Sequence, residues 1–129
     1  MSQVPAQLKY SKSHEWMESQ TDGTVKVGIT DYAQDQLGDL VYIGLPECDK
    51  PVKQGEECVV IESVKTASDL YSPINGKIIA VNDQLTDQPE LINTDAYGEG
   101  WIITIQPDNA ADLENDFLDA AQYQSQIEE

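Results

Sequence analysis

Cys58-Val59-Val60-Ile61-Glu62-Ser63-Val64-Lys65-Thr66-Ala67-Ser68-Asp69-Leu70-Tyr71-Ser72-Pro73-Ile74-Asn75-Gly76-Lys77-Ile78-Ile79-Ala80-Val81 is the most ordered pattern in the chain. Cys58 to Ser63 reads as a strand, because β-branched side chains suit a pleated, half-buried surface. Val64-Lys65-Thr66-Ala67 has no strong apolar character and reads as a turn. Asp69 to Ile74 is a second run. Asn75-Gly76 is a tight-turn signal, since both residues tolerate positive φ. Lys77 to Val81 then forms another strand.

The same grammar extends outward. Ser13 to Glu18 alternates, with Trp16 directed into the core and Ser13 and Glu15 sharing the opposite face. Thr21-Asp22-Gly23-Thr24 is a turn before the strand Val25 to Ile29. Thr30 can cap a short helix over Asp31 to Leu37, with Gly38 as its stop. Leu40 to Leu45 is β-rich, and Pro46, Pro51 and Gly55 punctuate a loop. A second loop holds Pro89, Gly98 and Gly100 before a strand over Trp101 to Ile105. The tail from Asn109 is acidic and helical in propensity. It carries Leu113, Phe117 and Leu118 on one side and Asp119 with Gln122 as a capping box. Many short strands with helices only at the margins predict a small β sandwich or barrel. The expected organisation is one domain over 1–129 with a helical C-terminal extension at about 109–129.

Composition removes several classes of function. The chain has 129 residues and 24 Asp plus Glu; its seven basic residues are all Lys, and the formal net charge is −17. Nucleic acids and anionic membrane surfaces are excluded as expected partners, because both are held by cations. The longest apolar runs have four residues, against about 18 for a membrane span. The N-terminus shows neither a secretory nor a transit pattern, so a cytoplasmic protein is expected. Cys48 and Cys58 form no CxxC pair and read as two reduced, half-buried thiols without a role. His14 is the only histidine, which excludes a two-histidine metal site. There is no GxGxxG, Walker loop, HExxH or GxSxG. No catalytic constellation emerges.

One residue stands apart. Lys65 lies twelve positions from Lys53 and from Lys77, among Ser63, Thr66, Ala67 and Ser68, with Glu62 and Asp69 flanking. An ammonium on a four-carbon stem at a hairpin tip is hydrated and reachable. By position alone it is an ordinary surface lysine that keeps a turn in solution.

The wording around it changes that reading. Glu62-Ser63-Val64-Lys65-Thr66-Ala67-Ser68-Asp69 and the following Leu70 to Ile78 resemble the lipoyl-lysine segment of the H-protein family of the glycine cleavage system. Leu8 to Trp16 is similar to the family's N-terminal signature. Val27 to Gln34 and Leu37-Gly38-Asp39 are similar to its second block. Val81-Asn82, Pro89 to Asn93, Ala96-Tyr97 and Gly100-Trp101 are similar to later blocks, all in family order. Biotin carriers typically have Met on both sides of the modified lysine, and lipoyl domains of 2-oxo acid dehydrogenases have Asp before it. Here the neighbours are Val64 and Thr66.

The resemblance implies a barrel-sandwich hybrid of the biotinyl/lipoyl carrier type. It implies lipoate in amide linkage to Lys65, with Glu62 a recognition residue for the lipoate ligase or octanoyltransferase. It implies a carrier rather than an enzyme. The arm would serve a pyridoxal-phosphate glycine decarboxylase, an aminomethyltransferase and dihydrolipoyl dehydrogenase. Ser13, Glu15 and Asp69 match the family positions that receive the loaded arm in a cleft. Two alternatives stay open: an H-like relay that passes lipoate to 2-oxo acid dehydrogenase complexes, and an unmodified acidic adaptor. A monomer is expected, since a carrier serving several active sites gains from being small and free.

Overall fold

The computed structural model describes residues 4–108 and 117–127. Among these described residues nine strands form two antiparallel sheets. They are β1 (Lys9–Tyr10), β2 (Glu15–Ser19), β3 (Val25–Ile29), β4 (Leu40–Gly44), β5 (Pro51–Val52), β6 (Glu57–Ser63), β7 (Ala67–Tyr71), β8 (Gly76–Val81) and β9 (Ile103–Pro107). The larger sheet runs β1-β2-β3-β9-β8-β5 and the smaller β4-β6-β7. Four helices punctuate them: α1 (Asp31–Leu37), α2 (Gln84–Asp87), α3 (Leu91–Thr94) and α4 (Ala120–Ile127).

The core follows from strand periodicity. Val25, Val27 and Ile29 on β3, Ile61 on β6, Leu70 on β7, Ile78 on β8 and Ile103 and Ile105 on β9 meet in one cluster. Fully burying each such side chain contributes roughly 1.5–3 kcal/mol. A second cluster gathers Leu8, Tyr10, Trp16 and Tyr123. Met17 belongs to the first cluster and Trp16 to the second. Both faces of β2 are therefore covered.

Thr30 caps α1 as its sequence predicts, its hydroxyl accepting from Ala33 N at 3.2 Å, and Gly38 N donates to Gln34 O at 3.0 Å. The capping box before α4 also forms. Asp119 N donates to Gln122 Oε1 at 3.0 Å, and Gln122 N donates to Asp119 Oδ1 at 2.8 Å. Leu118 forms an antiparallel bridge with Tyr10, and α4 begins after it at Ala120. Phe117 packs on the first cluster and Leu118 on the second, not on one helical side. Leu113 and the rest of 109–116 lie outside the described residues.

Three local readings are corrected. Asn75-Gly76 does not turn between paired strands: β7 pairs with β6, whereas β8 pairs with β5 and β9. The glycine serves close approach, because a Cβ at Gly76 would collide with Gln106 O of β9. The loop before β9 holds α2 and α3, each one turn long and anchored by the buried Leu85 and Ile92. Cys48 and Cys58 are not alike: Cys48 is exposed and Cys58 buried.

Candidate functional site

Strands β6 and β7 form a hairpin in which Glu62 opposes Ala67, leaving Lys65 at the tip. One side chain shapes the turn. Ser63 Oγ accepts from Lys65 N at 3.2 Å and from Thr66 N at 3.1 Å, and donates to Thr66 O at 3.2 Å. A second tether reaches the α1–β4 junction, where Val64 N donates to Asp39 O at 3.0 Å. Asn93 fixes that junction. Its amide donates to Gly38 O at 2.9 Å and Gln34 Oε1 at 2.8 Å, and accepts from Leu40 N at 2.9 Å.

The Lys65 stem lies over Gly38, where an added Cβ would stand 2.9 Å from Lys65 Cε. Gly38 has φ +84°, which L side chains rarely adopt, so space and backbone both call for glycine. Lys65 is exposed. It makes no ion pair among the described residues, where Lys77 pairs with Asp49 at 3.7 Å. Glu62 is exposed three residues before it.

Beside the hairpin root is a cleft of about 280 Å³. Ser13, Glu15 and Asp69 all line it, with Ile29, Leu37 and Ile61 among its apolar walls. Lys65 and Glu62 stand outside the lining, although Leu37 directly precedes the glycine under the lysine stem. The cleft is thus lined by apolar and polar side chains together. Such a lining suits a largely apolar chain that carries a polar group.

Glu15 is the unusual member, only 2% exposed. The hydroxyls of Ser11 and Ser13 each donate to its Oε1 at 2.6 Å. Burial pushes its carboxyl above the ordinary range, opposed by hydrogen bonds from both serines and from the Tyr71 backbone. The predicted alternation from Ser13 is therefore corrected. His14 has φ 72°, and the Ser11-to-Glu15 segment is a turn closed by Ser11 N on Glu15 O at 2.9 Å. Regular strand starts only at Glu15. Trp16 does face away from Glu15, yet Glu15 is buried too, while Ser13 is exposed. Asp69 is half-buried, opposite Val60.

Ser11 is a member that sequence reasoning missed. It is buried, and its Oγ also accepts from Glu15 N at 3.0 Å. The signal was the Ser11, Ser13, Glu15 spacing, legible only once a turn rather than a strand is assumed. His14 also lines the cleft. Its Nδ1 is 2.8 Å from Tyr123 Oη, which is 2.6 Å from Thr30 Oγ1. Cys58 donates its thiol to Leu70 O at 3.4 Å, and burial pushes it up to about 12. A thiol of that kind is inert at neutral pH.

Comparison with known proteins gives the same direction. The family described as Glycine cleavage H-protein matches residues 8–129. The chain belongs to the glycine cleavage H-protein family. The H protein of Salmonella arizonae is 52% identical over 129 residues, covering 100% of this chain and 99% of that one. The H protein of a Psychrobacter species is 54% identical over 127 residues, covering 98% and 100%. A crystal structure of the H protein from Mycobacterium marinum superposes with a TM-score of 0.88 at 40% identity, covering 98% of this chain and 100% of that one. The two antiparallel sheets with marginal helices are thus the barrel-sandwich fold of a lipoyl carrier. The chain is the H-protein carrier component of the glycine cleavage system, whose bacterial relatives match it end to end. Among the described residues no helix is long and apolar enough to cross a membrane.

Proposed function

We propose that Lys65 carries lipoate as an amide, and that Ser13, Glu15 and Asp69 receive the far end of the arm. The observation that carries this reading is the pairing of an exposed lysine without an ion pair, on a braced tip, with a nearby cleft that holds apolar side chains and a buried carboxylate. Held on Lys65, lipoate would supply a disulfide able to take up an aminomethyl group and to be restored by oxidation, the chemistry on which a pyridoxal-phosphate glycine decarboxylase, an aminomethyltransferase and dihydrolipoyl dehydrogenase would act.

This chain's own residues then have distinct tasks. Lys65 Nζ is the acyl acceptor, losing its charge when the amide forms. Ser63 and Asn93 hold the tip in one attitude, so only the arm is free. Glu62 is offered to the lipoate ligase or octanoyltransferase. Leu37 and Ile61 line a dry path. Glu15 accepts an ammonium end, and that opposite charge draws its carboxyl back toward the ionised form. The chain presents and protects; the reactions belong to the cofactors of its partner enzymes. On this reading it works as a monomer in the cytoplasm.

The direct test is peptide mass mapping of the protein with lipoylation active in the host. A lipoyl adduct on the Lys65 peptide supports the reading; an unmodified Lys65 overturns it.

A further inference from the structure

Helix α4 reaches the cleft through one side chain. Tyr123 is fully buried, and its ring stacks on Tyr10 with centroids 4.8 Å apart. Its hydroxyl lies between two segments that line the cleft. On one side is His14, whose Nδ1 is 2.8 Å away, in the turn that carries Ser13 and Glu15. On the other is Thr30 Oγ1 at 2.6 Å, the N-cap of α1, and α1 supplies Tyr32, Ala33 and Leu37 to the same cleft. His14 and Thr30 also meet through the backbone, Thr30 N donating to His14 O at 3.0 Å. The turn needs such support. His14 has φ 72°, a conformation that persists in a non-glycine residue only where the surroundings hold it.

One arrangement of the protons uses all of them. Thr30 Oγ1 already accepts from Ala33 N at 3.2 Å. Among the described residues its own proton has no acceptor other than Tyr123 Oη. Tyr123 then gives its single proton to His14 Nδ1. A ring nitrogen that accepts is unprotonated, so neutral His14 carries its hydrogen on Nε2. Protonating His14 would place a hydrogen on Nδ1. Tyr123 would have to turn its proton toward Thr30, and the proton of the buried Thr30 would lose its partner, which is costly away from water. Burial also disfavours the charged imidazole. The other titratable groups near the ring are Tyr32 of α1, with centroids 5.1 Å apart, and the cleft acids Glu15 and Asp69, which favour the charged imidazole when ionised.

We propose that Tyr123 is a positioning residue for the arm: its hydroxyl locks the turn bearing Ser13 and Glu15 to α1 and holds His14 as the Nε2–H tautomer on the cleft wall. This role rests on the proposed use of the cleft by the Lys65 arm, whereas the hydrogen-bond relay stands without it. A loosened turn carries Ser13 and Glu15 away from the ammonium end together, because both belong to it.

Tyr123→Phe removes the hydroxyl and keeps the stacked ring. Gln126→Ala is the control, removing the other tie from α4 to the turn, Gln126 Nε2 on Lys12 O at 3.2 Å. Nitrogen NMR of the imidazole through a pH titration reads the relay in untagged protein without lipoate, and His14 is the only histidine to assign. In the wild type Nε2 should be protonated and Nδ1 not. In Tyr123→Phe the histidine should titrate at higher pH, because its neutral form has lost a hydrogen bond. Gln126→Ala should titrate as the wild type does. Ammonia release from the isolated loaded carrier should quicken about three- to tenfold in Tyr123→Phe, the worth of one neutral hydrogen bond, with lipoylation unchanged. A proton on Nδ1 in the neutral wild type, or an unmoved titration in folded Tyr123→Phe, would overturn the relay and the role built on it. A moved titration with unchanged ammonia release would overturn the positioning role and leave the carrier reading standing. A Lys65 that takes no lipoate would sink the carrier reading and this role together, while the NMR titration still reports the relay.

Discussion

The hairpin tip and the Glu15 pocket handle polar groups in opposite ways. At the tip, Lys65 keeps its ammonium in water, and the protein spends only backbone geometry, through Ser63, Gly38 and Asn93. In the pocket, Glu15 is removed from water and held by two serine hydroxyls at 2.6 Å. A hydrated lysine costs the fold almost nothing, whereas a buried carboxylate is costly when ionised. On the proposed reading, a group that is to be reached is left outside on a stiff frame, and a group that is to grip is desolvated, because its attraction for a cation is stronger where water is excluded.

The largest expected effect falls on the tip. Lys65→Arg should abolish lipoylation while leaving the melting temperature unchanged, because guanidinium is a poor acyl acceptor and the residue is exposed. Intact mass and a thermal scan report both. Efficient uptake of lipoate by the variant at another lysine would erase the distinction between this tip and the rest of the surface.

The pocket should show a smaller effect in function and an opposite one in stability. Glu15→Gln should leave lipoylation intact and quicken ammonia release from the isolated loaded carrier by about tenfold, the loss of one charge-assisted hydrogen bond. Its stability should move the other way. The folded pKa of Glu15 lies above its unfolded value. Its stabilising contribution is therefore complete below the unfolded value, near about 4.3, and is lost as pH rises through the raised one. Denaturation at acid and neutral pH should show Glu15→Gln gaining on wild type as pH rises. A constant difference would mean the carboxylate is not strained by burial.

The brace comes next. Asn93→Ala orphans Leu40 N and Gly38 O, at a cost of about 1–3 kcal/mol in urea denaturation. Lipoylation should slow but persist, since Ser63 still shapes the turn. Unchanged stability would show that the tip stands without the α1–β4 junction. The smallest effect is electrostatic. With a net charge of −17, KM for the decarboxylase should rise about two- to fivefold between low and moderate salt as steering is screened. A flat response would confine the acidity to solubility.

The place of the tip is legible in sequence, its role is not. Lys65 lies between two apolar runs, but by position alone it is an ordinary surface lysine, and its role comes from the resemblance to a family; Thr30, Gly38, Asp119 and Gln122 announce helix ends by local chemistry alone. Local signals also misled: Asn75-Gly76 has a hairpin's wording, yet its glycine answers to the backbone of β9. The pocket is assembled from β2 and the turn before it, β3, α1, β6 and β7, and no local pattern states which strands will meet. Ser13, Glu15 and Asp69 came from resemblance to a family, while Ser11 was hidden by a turn at His14 that alternation cannot represent. Short α2 and α3 escaped because one-turn helices are held by single buried anchors, Leu85 and Ile92, rather than by periodicity.

On the proposed reading this chain works by presenting one acylated lysine. Peptide mass mapping of the protein purified from cells with active lipoylation decides the matter. A lipoyl adduct confined to the Lys65 peptide is expected, with Lys53 and Lys77 unmodified. A Lys65 peptide recovered without lipoate from such cells, or an adduct spread over several lysines, would contradict it.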